Sequence, residues 1–256
     1  MKDKIGLVLS GGGVRAIAHI GLIKVLLEKN IIPTEVAGTS AGALVGALYA
    51  GGFEPEEMLN FFEETPLLKL SFYARNKPGM LDSSKYAKYF KKYFPIDSFE
   101  SLKYPLTVTA TDLFNSKLDF FNSGEIIKPL IASSALPPFF SPIEVNGTYY
   151  SDGGILNNFP IEPLSLNCSK IIGSFVNPVS KCEYADINTS FKLLYRVYHI
   201  GLDVNNIKKF NQCNYVFSPP NIDDIGVLDG DAIQKSFDLG YKHALNEINK
   251  IIDLIS

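Results

Sequence analysis

The sequence predicts an α/β protein: a three-layer α/β/α sandwich around a mostly parallel central sheet, formed by a single domain over residues 1–256. Three observations lead there. The chain opens strand, helix, strand, helix at the pitch of a right-handed βαβ unit. Lys170–Val176 is an apolar run bounded by turn residues, as in a buried strand of a parallel sheet. Near the end, Ile233, Phe237, Tyr241, Leu245, Ile248 and Ile252 recur at spacings of three and four, the apolar stripe of an amphipathic helix. Helices are expected on both faces of the sheet.

The first strand is Ile5–Leu9, followed by a glycine loop and a largely apolar helix from Val14 to Glu28. Pro33 breaks the pattern, Glu35–Gly38 is a short second strand, and a helix of small residues follows at Ala41–Ala50. Pro55 sits where a first-turn proline is tolerated, opening a helix through Glu64 with Met58, Phe61 and Phe62 turned inward. Asp82 or Ser83 caps another helix, to Phe94. Pro105–Thr111 and Lys117–Asn122 are β-rich runs joined by a polar turn, and Glu125–Ser134 is helical until Pro137-Pro138 stops it. Ile143–Val145 and Thr148–Ser151 flank Asn146-Gly147, the strongest short hairpin signal. After Lys170–Val176 come a long helix, Ser190–Asn211, a strand, Tyr215–Ser218, and the closing helix, Asp231–Ile255.

Composition narrows the function. Lys+Arg 24 against Asp+Glu 27 leaves a net charge of −3, whereas non-specific nucleic-acid binding needs clustered positive charge. No nucleic-acid partner is expected. Cys168, Cys182 and Cys213 lie far apart with no C-x-x-C pair, which argues against a zinc knuckle, a thioredoxin-type site or a disulfide framework and for buried or half-buried free thiols. The N-terminal apolar run, Ile5–Leu9, is too short for a signal-peptide core. The small and apolar stretch Ala41–Phe53 is too short to span a membrane. The expectation is a cytoplasmic protein, at most peripheral to a membrane.

Three segments carry the chemistry. Gly38-Thr39-Ser40-Ala41-Gly42 is a G-x-S-x-G at a strand-to-helix junction. A nucleophile there takes a strained backbone conformation on a sharp turn, so the flanking positions Gly38 and Gly42 must be small. The helix that follows adds partial positive charge beside the Ser40 hydroxyl. Ser10-Gly11-Gly12-Gly13-Val14-Arg15 joins the first strand to its helix. Gly11, Gly13 and Ala16 also fit the dinucleotide fingerprint G-x-G-x-x-G/A, but that reading needs an acid ending the second strand. Glu35 precedes Val36-Ala37-Gly38 instead, and Ser40 occupies the strand's end. The favoured reading is an oxyanion hole built from the N–H groups of Gly11, Gly12 and Gly13, with Arg15 bracing the loop or adding charge.

The third segment is Ser151-Asp152-Gly153-Gly154. A nucleophilic serine needs a base, and His19, His199 and His243 all fall inside predicted helices, the wrong setting for a catalytic histidine. Asp152 is the best remaining general base, with Gly153 and Gly154 forming its turn.

With these residues in hand, the sequence resembles the patatin-like phospholipases, lipid acyl hydrolases with a Ser–Asp dyad. The resemblance rests on S-G-G-G-V-R at 10–15, G-T-S-A-G at 38–42 and D-G-G at 152–154. It continues through Ala132–Pro137, Phe140-Ser141-Pro142 and Asn157–Pro160, and runs from Ile5 to about Leu245. One departure is Ala16, where the family usually has glycine. The resemblance implies a patatin-like fold, Ser40 as nucleophile, Asp152 as base, and Gly11, Gly12 and Gly13 around the oxyanion, with an acyl lipid as substrate. It implies no metal and no cofactor. An acyltransferase using the same acyl-enzyme, or a lipid-binding regulatory protein, remains open at this stage.

One further segment bears on the substrate. On a helix over 82–94, Tyr86, Tyr89, Phe90 and Tyr93 share a face, with Lys85, Lys88, Lys91 and Lys92 opposite or beside it. An ordinary amphipathic helix packed on the domain explains this pattern; an interfacial helix forming a lip over the Ser40 cleft, in transient contact with a membrane, is the functional alternative.

Overall fold

The protein is described by a computed structural model over residues 4–66, 69–179 and 181–255. Strands β1 (Ile5–Leu9) and β2 (Glu35–Thr39) are joined by helix α1 (Ile17–Glu28), and α2 (Ala41–Gly51) and α3 (Pro55–Glu64) follow. Next come α4 (Ala87–Tyr93), β3 (Leu106–Asp112), β4 (Lys117–Phe121), α5 (Ile127–Ser133), β5 (Ile143–Val145) and β6 (Thr148–Asp152). The chain continues through α6 (Glu162–Ser165), β7 (Lys170–Ser174), α7 (Ser190–Ile207), β8 (Tyr215–Phe217) and α8 (Ile233–Ile255). One sheet holds these strands in the order β5-β6-β3-β2-β1-β7-β8, with β4 paired to β3. The pairs β1–β2, β1–β7, β2–β3 and β7–β8 are parallel, while β4 and β6 run antiparallel to β3. The α/β class and the mostly parallel sheet are as the sequence predicts.

Strand periodicity divides the core. Leu7, Leu9, Val36 and Ile172 enter the larger cluster, with α1, α2, α3, α5 and α8. The alternate residues Val8, Ala37 and Ile171 point the other way, toward Phe159, Ile161, Leu164 and Phe175. Among the described residues, the second face carries the smaller buried cluster. It is covered by the four-residue α6 and by an edge-on triad of Phe159, Phe175 and Phe210.

Several boundaries move for identifiable reasons. The first helix starts as a 3-10 turn, Gly13–Ala16, because the Val14 N–H is drawn to the Val227 carbonyl. The helix expected from Glu125 begins at Ile127, because Asp97 Oδ1 accepts the N–H groups of Ile126 and Ile127. The helix expected to reach Asn211 ends at Ile207, and a 3-10 turn follows at Phe210–Gln212. Of the cysteines, Cys168 and Cys213 are half-buried thiols as expected, but Cys182 is exposed.

One feature of the sheet positions the site. β4 pairs with β3 from Val108 to Asp112, so β2 and β6 share the other edge of β3. Coming from opposite directions, they meet there: Thr39 pairs with Thr109, and Asp152 with Ala110. The residue after β2 is Ser40.

Candidate active site

Ser40 is the half-exposed residue between β2 and α2, with φ of 54° and ψ of −132°. A β-carbon-bearing residue in this region costs roughly 1–3 kcal/mol and persists only where the surroundings fix it. The surroundings do so here: the Ser40 N–H donates to Ser133 Oγ at 2.8 Å, and the Ser40 carbonyl accepts from Ala43 and Leu44 in the first turn of α2. Gly42 makes the turn possible, since a β-carbon there would lie 2.4 Å from the Ser10 carbonyl oxygen. Gly38 lies within β2, packed against the same turn of α2.

Asp152 ends β6 beside it. Ser40 Oγ donates to Asp152 Oδ2 at 2.7 Å, and the Gly154 N–H donates to Oδ1 at 2.7 Å. Gly153 and Gly154 open the 3-10 turn that Asp152 caps. The backbone of Asp152 is held as firmly, its N–H by the Ala135 carbonyl and its carbonyl by the Thr111 hydroxyl. Only 3% of Asp152 is exposed. Burial pushes its carboxyl up to about 7, against the opposing pull of the hydrogen bonds from Ser40 and Gly154. A hydroxyl hydrogen-bonded to a buried carboxylate that titrates near neutrality can give up its proton as it attacks an electrophile.

The glycine loop is more differentiated than the sequence implies. Gly11 donates its N–H to Asn158 Oδ1 at 3.0 Å and is thereby occupied. This corrects the expectation of three equivalent donors. Among the described residues, the N–H groups of Gly12 and Gly13 have no hydrogen-bond partner, and both residues line a small cavity with Ser40, Asp152 and Gly154. Gly13 has φ of +56°, and a β-carbon on it would fall 2.0 Å from the Val227 carbonyl oxygen, so the loop conformation requires glycine at that position.

Arg15, at the end of the loop, is hydrogen-bonded to residues 177, 223 and 225. Its Nε donates to the Ile225 carbonyl at 2.7 Å, while the guanidinium nitrogens reach the Asp223 carbonyl and Asn177 Oδ1. Ala16, the departure from the family pattern, is fully buried in the main core. Glu35 accepts from Asn167 and pairs with Lys4 at the start of β2, three residues from Gly38 and the glycine loop, or about 10 Å along the strand. It lies at the wrong end of the sheet to hold a ribose beside that loop.

The histidines divide three ways. His19 is fully buried under the loop, its Nε2 2.9 Å from the Ser10 carbonyl and its Nδ1 2.7 Å from Ser174 Oγ. Burial lowers its pKa to about 4. The neutral ring donates from Nε2, since a carbonyl can only accept, and Nδ1 accepts a hydrogen bond from the Ser174 hydroxyl. His243 packs against Phe217. His199, in a helix as expected, lines the small cavity with Ser40 and Asp152 and hydrogen-bonds through Nδ1 to Asn177. Burial, with Arg15 and Arg196 nearby, lowers its pKa to about 4. Sequence reading also missed Asn158 and Ser133 as supports of the site. Only the neighbouring motif stretches hinted at them.

Ser40 also opens onto a larger apolar cavity of about 120 Å³, walled mainly by hydrophobic and aromatic side chains as small-ligand sites are. Its walls include Leu44, Phe61, Tyr86, Phe90, Ile131 and Phe140. Among the described residues, no His, Cys, Asp and Glu group is placed to hold a metal ion, and no helix is long and apolar enough to cross a membrane.

The chain is similar in sequence to several known proteins. An NTE family protein of Mycobacterium tuberculosis is 32% identical over 164 residues, which cover 63% of this chain and 46% of that protein. A protein named lysophospholipase NTE1 from the yeast Meyerozyma guilliermondii is 29% identical over 204 residues, 75% of this chain and 14% of its own. A patatin-like phospholipase domain-containing protein of Caenorhabditis elegans aligns over 98% of this chain and 21% of its own length, at 26% identity. The chain thus spans less than half the length of these relatives. Among solved structures, VipD from Legionella pneumophila covers 95% of this chain and 67% of its own, with a TM-score of 0.48 and 16% identity. The patatin-like phospholipase family model matches residues 7–165, well over half of the sequence and all three of its motifs, and the chain belongs to that family.

Proposed function

We propose that the chain is a serine acyl hydrolase of lipids, cleaving carboxylic esters of lysophospholipids, phospholipids or other acyl lipids as one catalytic unit. The observation that carries this reading is the 2.7 Å hydrogen bond from Ser40 to buried Asp152, made where an apolar cavity meets a small one whose lining includes the polar residues Asn158, Asn177 and His199. An ester bond at that junction has its acyl chain in the apolar cavity and its alcohol part on the polar side. The name borne by the yeast relatives, lysophospholipase, supports the substrate class.

In this reading Ser40 Oγ attacks the ester carbonyl carbon while Asp152 Oδ2 takes its proton. The N–H groups of Gly12 and Gly13 receive the charge that develops on the carbonyl oxygen. Asp152 returns the proton to the departing alkoxide, which leaves as the lyso-lipid or alcohol. A water molecule then gives a proton to Asp152 and attacks the acyl-Ser40 carbonyl. The Ser40 oxygen departs with that proton, releasing a fatty acid and restoring the starting state. Gly11, held by Asn158, and His19, under Ser10, keep the loop in register.

The test is fluorophosphonate labelling of the wild type and Ser40→Ala, followed by hydrolysis of short p-nitrophenyl esters, lysophospholipids, phospholipids and triacylglycerols. Labelling and ester cleavage that both vanish with Ser40 support the reading; labelling that survives Ser40→Ala, or no cleavage across the panel, overturns it. Adding an alcohol acceptor and assaying for acyl transfer separates hydrolase from acyltransferase.

A further inference from the structure

The rings of segment 82–94 do not face solvent. Tyr86 and Phe90 are buried, packed edge-on against Phe72 and Phe61, and both line the apolar cavity that holds Ser40. Tyr89 and Tyr93 are half-buried. The helix is a wall of the cavity, and its rings are already satisfied.

Helix α7 exposes apolar residues along one side. Leu193, Val197, Ile200 and Ile207 are 48%, 59%, 44% and 54% exposed, and their spacings of four, three and seven place them on one stripe. Leu194 beside them is 68% exposed. Isolated exposed leucines are ordinary, but a continuous stripe along a helix marks an interaction surface. The opposite face of α7 is engaged: Asn206 is buried, and His199 borders the cavity shared by Ser40 and Asp152. The charge on this segment is one-sided. Residues 190–209 carry Lys192, Arg196, Lys208 and Lys209 against a single acid, Asp203. Lys192 and Lys208 are exposed, while Lys209 is paired with Glu162.

We propose that α7 docks the protein on an anionic lipid membrane, its apolar stripe entering the headgroup boundary and its basic residues meeting anionic head groups. The helix lies between that surface and the site, so docking brings the bilayer within about one helix diameter, ~10 Å, of the residues lining the Ser40 cavity. A lipid surface is the partner for which this proximity matters. The choice of partner rests on the lipid-hydrolase reading above, whereas the exposed stripe and its charge do not.

Co-sedimentation with vesicles of phosphatidylcholine, alone or mixed with phosphatidylserine, tests the proposal. Ser40→Ala serves as the parent, so that no lipid is consumed. The parent is expected to bind the mixed vesicles more tightly than phosphatidylcholine alone. Adding Leu194→Asp and Val197→Asp weakens binding by about tenfold or more, and Lys192→Glu with Lys208→Glu abolishes the preference for anionic lipid. On the wild-type Ser40 background, the Leu194 and Val197 pair should still hydrolyse a short soluble ester, which confirms an intact fold. If aspartate is not tolerated there, glutamine at both positions takes its place. Vesicle binding by the double variant equal to its parent's, or no binding by the parent, overturns the proposal. So does a parent dimer that the double variant converts to monomer, because the stripe is then covered by a second copy. Vesicle binding without ester hydrolysis by the wild type would instead refute the hydrolase reading and leave the docking surface standing.

Discussion

Replacing Asp152 with asparagine separates the group's chemistry from its effect on stability. The carboxylate is almost fully buried and accepts two hydrogen bonds, yet its pKa stands at about 7 against an ordinary 3.8. At 1.36 kcal/mol per pH unit, keeping it ionised in the folded protein costs on the order of 4 kcal/mol. The folded value lies above the unfolded one, so the folded state binds the extra proton. The group's contribution to stability is therefore fully present below about pH 4 and is lost as pH rises through 7. Asparagine is neutral throughout and nearly the same shape. Its Oδ1 can still accept from Gly154, and its amide can donate to Ser40 Oγ. The stability of Asp152→Asn relative to wild type should therefore grow by about 1.4 kcal/mol per pH unit between pH 4 and 7 and then level off. Between pH 5 and pH 7 that amounts to roughly 5–10 °C in relative Tm for a domain of this size. Ester hydrolysis by the same variant should fall on the order of 10³-fold. Thermal melts of both proteins from pH 5 to 8.5, beside a p-nitrophenyl ester assay, measure both effects. A Tm difference that does not change with pH would refute the claim that Asp152 is a desolvated carboxylate, and full activity in the variant would refute its role as base.

Ser40→Gly should be inactive yet about 1 kcal/mol more stable in thermal or urea unfolding, because glycine relieves the positive φ that serine bears there. Gly13→Ala should lower kcat by ~10²-fold or more, since its β-carbon meets the Val227 carbonyl and displaces an oxyanion donor; unchanged kcat in steady-state assays would remove the loop from the mechanism. Wild-type kcat/KM should drop about tenfold per pH unit below pH 7 as Asp152 protonates, and remain flat above it, in a pH-rate profile. His199→Ala combined with His243→Ala should retain most of the ester-cleaving activity, because neither imidazole is hydrogen-bonded to Ser40; loss of activity in that double variant would replace the dyad with a triad.

Local chemistry wrote much of this protein into its sequence. The apolar run of β1, the Asn146-Gly147 hairpin, the small residues around Ser40 and the aspartate-glycine turn at 152–154 each depend on neighbours a few residues away. Residue types report such features directly. The sequence therefore determined the α/β class, the turn that carries Ser40 and the turn that carries Asp152. Contacts between distant segments decided the rest. Ser40 and Asp152, 112 positions apart, meet because β2 and β6 share one edge of β3, a register no local pattern encodes. The Gly11 N–H is claimed by Asn158, 147 residues away, so the three glycines are not equivalent donors. The two amphipathic helices make the same point. Periodicity tells which residues share a face of a helix, but not whether that face finds a core to cover it. The rings of segment 86–93 found Phe61 and Phe72, while the leucines and valine of α7 found solvent. Burial depends on what packs against a surface, and only the assembled fold supplies that.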